Sequence, residues 1–287
     1  MTQTTEHPRP LTGLLPANRQ SEGAGVTVHR TIGTPRADHV DPFLLLDEFH
    51  IPADAKDAGF PDHPHRGFET VTYMLSGVMH HGDTSGNKGR IGPGDAQWMT
   101  AGSGIIHSEM PESMDGEPVH GLQLWVNLPA ADKMIPPRYQ DVAAERIPTM
   151  TGDGFRARVI AGTLAGTTGP VGDIAVQPLY ADVTLTGGEP ARLNVPKGHT
   201  VLAYTLTDGL KADGHAIPAH CLMGFGDGDH LALTGTAGSR FMLIAGHPIG
   251  EQVARHGPFV MTTRDEIHKA IDDYRRGTLV RDKAVVD

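Results

Sequence analysis

Two short stretches carry the side chains best suited to chemistry: His63-Pro64-His65 and His107-Ser108-Glu109. In each, two metal-ligating groups stand two residues apart. On an extended strand, residues i and i+2 project from the same face, so each pair aims at one point. Three imidazoles and one carboxylate form a donor set that suits Fe, Mn, Ni, Co or Zn. Too few protein ligands for an octahedral ion leave positions open to water, substrate or dioxygen. A lone histidine is usually structural, but two such pairs make ligation the better reading for His63, His65 and His107. Glu69 is a further carboxylate with the parity of His63 and His65. Gly67 lies between them and can bulge the strand, which breaks that parity.

These residues need strands to aim them, and the chain supplies strands. Val26–Ile32 alternates. Asp41-Pro42 turns into Phe43–Phe49, an apolar run of the kind buried on both faces. Residues 70–75 are β-branched and aromatic, and Ser76-Gly77 follows as a turn. Residues 80–87, with His80 and His81, read as a turn-rich hairpin region. Gly92-Pro93-Gly94-Asp95 is a tight turn before the strand 96–100. Residues 105–110 carry His107 and Glu109. Residues 121–128 alternate, with Gln123, Trp125 and Asn127 opposite the leucines and valine, and Pro129 ends them. The pattern is that of an antiparallel barrel or sandwich. Residues 1–24 read as a partly ordered arm, and residues 130–150, with Pro136-Pro137 and Pro148, as the connection to a second β domain.

The second half repeats the texture of short strands and glycine turns, clearest at 191–195, 200–206 and 241–245. It holds no His-x-His and no His-x-Glu. His199, His215, His220 and His230 are scattered and read as surface or turn residues. Thr263-Arg264-Asp265-Glu266 predicts a capping box. Ile267, Ala270, Ile271 and Tyr274 then form one apolar stripe, and Gly277 stops the helix.

The 287 residues include 36 glycines and 22 prolines, about a fifth of the chain against the usual ~12%. They mark turns between many short strands. The formal net charge of −10 argues against direct nucleic-acid binding, which needs clustered cations. It leaves room for a protein partner and points to a monomer. The single cysteine, Cys221, excludes an intrachain disulfide and reads as a buried, inert thiol. With no signal-peptide pattern and no long apolar run, a cytoplasmic location without membrane contact is expected. Met74, Met99 and Met110 read as core packing, Gln123 and Trp125 as barrel filling, and His120 as an uninformative turn residue. Arg66 either reaches a pocket mouth or makes a surface salt bridge.

Residues 63–73 (His-Pro-His-Arg-Gly-Phe-Glu-Thr-Val-Thr-Tyr), 93–102, 104–109 and 121–129 together resemble the pirin family of bicupins, as does Gly257-Pro258-Phe259-Val260-Met261 near the end. The likeness covers nearly the whole chain and is most specific over 61–129. It implies an all-β fold of two tandem cupin (jelly-roll-like) β-barrels with a C-terminal helix. The expected domains are 1–145, carrying the metal site, and 146–287, without metal ligands. Carried over position by position, the implied ligands are His63, His65, His107 and Glu109. The pattern thus favours Glu109 over Glu69, which becomes supporting or structural. The implied cofactor is Fe(II), with Mn, Ni, Co or Zn as ions the same donors accept. The implied activity is quercetin 2,3-dioxygenation, acting on a flavonol and O2; Glu109 is the candidate base, because a ligand carboxylate can swing off the metal to accept a proton. The alternative is a redox-sensing, metal-binding regulator working through a protein partner.

Overall fold

The computed structural model describes residues 6–55 and 58–287. In chain order the strands of its first half are β1 (Leu11–Pro16), β2 (Asn18–Glu22), β3 (Val26–Arg30), β4 (Phe43–Ile51), β5 (Phe60–His65) and β6 (Phe68–Ser76). They continue as β7 (Val78–Asp83), β8 (Lys88–Ile91), β9 (Ala96–Thr100), β10 (Ile105–Glu112), β11 (Val119–Asn127) and β12 (Arg138–Val142). Among the described residues one α-helix, α1 (Arg264–Arg275), follows late in the chain.

Two antiparallel sheets build the part that carries the histidine pairs. The larger has the order β2-β3-β4-β11-β6-β9-β12, to which Val285–Val286 adds a parallel edge. The smaller is β5-β10-β7-β8. Non-consecutive neighbours, such as β4 beside β11 and β5 beside β10, are the mark of a jelly roll rather than a meander. Val28, Phe49 and Met74 of the larger sheet pack with Met79 and Ile91 of the smaller in one buried cluster. This contact between inner faces holds a sandwich closed.

The chain divides into two compact units. One comprises residues 18–144 and 249–287; the other comprises the described residues up to Ala17 together with 145–248. The crossing at 144/145 lies one residue from the expected boundary, but the two ends are exchanged relative to a simple tandem split. β1 pairs with Cys221–Phe225, an edge of the second unit's seven-stranded sheet. The segment after Pro248, with α1, belongs to the first unit. The arm expected over 1–24 is therefore two strands, β1 and β2, with residues 1–5 outside the described ones. Residues 130–150 are not a simple connection either. β12 completes the larger sheet, and Gln140 faces Trp98 across it in register. His80 and His81 lie on β7, which forms the expected hairpin with β8, its turn falling at 84–87.

Inside the second unit the alternation is strict. Phe155, Ala157 and Val159, then Ala181, Val183 and Leu185, then Phe241, Leu243 and Ala245 project into one buried cluster with Leu231, Leu233, Cys221 and Met223. Burial holds the Cys221 thiol above its usual pKa. His230 is buried, contrary to the surface position expected of it. The C-terminal helix begins as its sequence predicts. The Thr263 side chain accepts from the Glu266 amide and the Glu266 carboxylate accepts from the Thr263 amide.

Candidate metal centre

β5 and β10 are antiparallel neighbours, with His107 opposite His63 and Ile105 opposite His65. The ligand atoms of His63, His65 and His107 all lie within 4.8 Å of one another. Their ring centroids are 4.7 Å (His63–His65), 4.4 Å (His63–His107) and 5.1 Å (His65–His107) apart. An extra residue bulges β5 between the levels of His107 and Glu109. Against β7 the register of β10 stays regular, His107 to Asp83 and Glu109 to His81. Glu109 therefore keeps the side of His107.

The protonation of these imidazoles follows from their surroundings. Burial, reinforced by His63, holds His65 well below the usual histidine pKa. Burial, reinforced by His65, His63 and His81, does the same to His107. Both are neutral near pH 7. Neither ring nitrogen of either side chain has a hydrogen-bond partner of good geometry. The Pro258 carbonyl, the least of the influences on His65, does not change this. A buried polar atom left unpaired costs about 1–3 kcal/mol, and four such atoms cluster here. His63 Nδ1 donates to the Pro61 carbonyl at 2.8 Å, which leaves Nε2 with its lone pair toward the cluster. Three imidazoles converging at this spacing, two of them held neutral by burial, are what a divalent cation requires.

Glu109 stands outside the three-histidine group but is buried beside it. Thr72 Oγ1 donates to Oε1 at 3.2 Å, and Gln123 Nε2 donates to both carboxylate oxygens at 3.3 and 3.2 Å. Trp125 Nε1 in turn donates to Gln123 Oε1 at 3.2 Å. β6 and β11 pair in register with Thr72 opposite Gln123, so these three side chains share the inner face of the larger sheet. Gln123 and Trp125 thus do more than fill the barrel. They line a cavity of about 310 Å³ with His63, His65, Phe49 and Phe60. Arg255, over the Trp125 ring at 4.9 Å, is at the same cavity.

Glu69 faces the other way. Gly67 has φ +87°, a left-handed conformation that breaks the alternation between His65 and Phe68. Phe68 then packs on Trp125 and His65, and Glu69 projects from the opposite face, accepting from Thr100 Oγ1 at 2.7 Å. Burial raises its pKa to about 7. His81, one strand from Glu109, is buried and accepts from Gln97 Nε2 at 2.8 Å, and Gln97 also donates to Asp141 at 2.8 Å.

The bulge at Gly67 is pinned from three sides. A Cβ there would lie 2.0 Å from the Val260 carbonyl oxygen. Lys133, buried, donates all three ammonium hydrogens: to the Gly67 carbonyl (2.9 Å), Asn127 Oδ1 (2.7 Å) and the Val260 carbonyl (3.2 Å). Desolvation lowers its pKa to about 8. Arg66 is fully buried, not at the surface. It pairs with Asp273 of α1 at 2.8 Å and donates to the carbonyls of Ser103 and Leu279. Sequence reasoning did not single out Thr72, Lys133 or Asp273, since only pairing across strands and the returning C-terminal segment bring them here.

Comparison with known proteins gives consistent matches. The family model for pirin matches residues 25–126, and that for the pirin C-terminal cupin domain matches residues 180–280. A pirin-like protein of Caulobacter vibrioides is 46% identical over 282 residues, which is 94% of this chain and 98% of its own. The pirin of Homo sapiens is 45% identical over 266 residues, 90% of each chain. The crystal structure of a quercetin 2,3-dioxygenase from Acinetobacter baumannii superposes with a TM-score of 0.87 at 33% identity, covering 96% of this chain and 100% of that one.

Proposed function

The chain belongs to the pirin family of two-cupin proteins, and from that premise we propose that it is a mononuclear metal-dependent dioxygenase opening the heterocycle of a flavonol such as quercetin. The observation that carries this reading is the convergence of three imidazoles, two of them buried with no hydrogen-bond partner of good geometry and two of them lining a cavity with aromatic walls, with a buried carboxylate beside them. The donor set fits a divalent ion held by His63, His65 and His107, with Glu109 as fourth ligand. Fe(II) is the cofactor this reading names, and Mn, Ni, Co or Zn are ions the same donors accept. Bound there, the ion would lower the pKa of a flavonol hydroxyl and leave a position for dioxygen.

The protein's own groups do the rest. Phe49, Phe60 and Trp125 offer flat apolar walls to a planar ring system. Glu109 accepts the proton of the flavonol 3-hydroxyl. The two hydrogen bonds from Gln123 and the one from Thr72 hold its carboxylate in place until then. Trp125 fixes the Gln123 amide so that its NH2 group faces the carboxylate. The apolar part of the lining, Val28, Leu45, Phe49, Phe60, Trp125 and Pro258, limits water around the deprotonated ring. Both atoms of dioxygen enter the product as carbon monoxide leaves.

The test is anaerobic loading with Fe(II) followed by air and quercetin. The expected result is loss of flavonol absorbance with one carbon monoxide released per flavonol consumed, abolished by His107→Ala together with the Fe(II) bound at this centre. Full metal occupancy at this centre with no turnover under any of the five ions would contradict the assignment.

A further inference from the structure

The larger sheet of the first unit carries chemistry on both faces. Asp47 and Phe49 of β4 line the cavity. Glu48 and His50, which alternate with them, project from the other face. On β3, His29 stands directly opposite Glu48. On β11, His120 stands directly opposite His50. Three imidazoles and one carboxylate thus meet on three adjacent strands. This is the same donor set as in the cavity, built on the same i, i+2 spacing at Glu48-Phe49-His50.

Their contacts are close. His120 Nε2 lies 2.7 Å and His50 Nε2 3.2 Å from the same oxygen, Glu48 Oε1. The His50 and His120 rings stack at 3.9 Å between centroids and 25° between planes. His29 meets His50 edge-on at 5.7 Å. The ligand atoms of His29, Glu48 and His50 all lie within 4.8 Å of one another.

We propose that His29, Glu48, His50 and His120 form a second divalent-metal site, of the zinc class, on the face of the sheet opposite the cavity. Ligands bound to zinc at about 2.0–2.2 Å in a tetrahedron lie roughly 3.3–3.6 Å from each other. The distances to Glu48 Oε1, 3.2 Å from His50 and 2.7 Å from His120, are shorter than that, the second by about 0.6–0.9 Å, and the stacked His50 and His120 rings must swing apart before their lone pairs converge, so insertion needs side-chain rotation. Glu48 is buried, which strengthens its attraction for a cation. The His50 and His120 side chains are 34% and 22% exposed and give an ion its way in. Both Nε2 atoms now meet an acceptor, so each carries a proton that a bound ion displaces. His29, Glu48 and His50 supply the three donors already grouped, and His120, outside that group, completes a tetrahedral shell once it turns off the His50 ring; four protein donors make this a structural site rather than a catalytic one. It would tie β3, β4 and β11 together directly behind the cavity wall.

A hydrogen-bonded His–Glu–His cluster that takes no ion is the competing account, and metal counting separates the two. The full chain is stripped with chelator, dialysed against micromolar Zn(II) and analysed for bound metal. Relative to the unmodified chain, the His50→Ala/His120→Ala variant is expected to bind one equivalent fewer. His107→Ala is expected to keep the equivalent that this double variant loses, so the two centres fail or stand separately. An unchanged metal count in the double variant overturns the proposal. A second readout does not depend on the double variant folding. An ion that binds only the native state raises its stability by mass action. Zn(II) is therefore expected to raise the Tm of the His107→Ala chain, and no rise overturns the proposal as well.

Discussion

Glu109 and Glu69 are both buried carboxylates near the same histidines, and their neighbours give them opposite tasks. Glu109 is held on the inner face by Gln123 and Thr72. Replacing Gln123 by Leu removes a positioning residue without removing a ligand. Losing these hydrogen bonds to a charged acceptor costs about 1.5–3 kcal/mol, so kcat is expected to fall about ten- to a hundredfold. Metal content should stay unchanged, and KM for quercetin should move less than kcat. Loss of metal in this variant would mean that the three histidines do not hold the ion without an anchored Glu109. Glu69 has its pKa raised by burial to about 7, and an unfolded glutamate titrates near 4.3. As pH rises, the unfolded chain gives up this proton first. The contribution to stability is therefore present below the unfolded pKa and is lost as pH rises to about 7. The gap corresponds to about 4 kcal/mol. Glu69→Gln should flatten that decline, so urea unfolding at pH 5 and pH 8 should show the variant gaining on the original chain at the higher pH. An equal gap at both pH values would sink this reading of Glu69.

At the scale of elements, the site depends on one turn. The i, i+2 spacing of His63-His65 and His107-Glu109 was legible because a strand's period of two converts spacing into direction. Gly67 was legible as a residue that could break that period. What breaks it is visible only in three dimensions: the Val260 carbonyl sits where a side chain would be, and Lys133 and Arg66 tie the turn to segments far along the chain. Residues 130–150 read as a connection because prolines and charges dominate them. β12 lies among them and pairs with β9, and composition does not report pairing. The outward cluster was missed for a related reason. Glu48-Phe49-His50 has the informative spacing, but its partners His29 and His120 stand on separate strands. Gly67→Ala puts a Cβ against the Val260 carbonyl in a left-handed conformation. The expected cost is about 3 kcal/mol, together with loss of metal from the histidine pair it aims. A variant that bound metal normally would show that the turn does not set the direction of His65.

At the scale of the whole molecule, two units share one plan and differ inside. In the first, the inner faces meet across histidines, Glu109, Gln123 and Thr72. In the second, the corresponding alternation fills the interior with Phe155, Val183, Leu233, Leu243 and their neighbours. The sequence showed this difference as the lack of His-x-His and His-x-Glu in the second half. It did not show that the ends are exchanged. A terminal strand's own residues do not specify which sheet edge it joins, and β1 and the segment after Pro248 each join a unit away from their sequence neighbours. That exchange also brings Asp273 and Val260 to the turn that aims His65. The central claim is that one ion sits among His63, His65 and His107 in the first unit. Anomalous diffraction at the iron edge from Fe(II)-loaded crystals tests it most directly. The expected result is a peak about 2.0–2.2 Å from one nitrogen of each of these three histidines. A peak in the second unit, with none among the three, would contradict it.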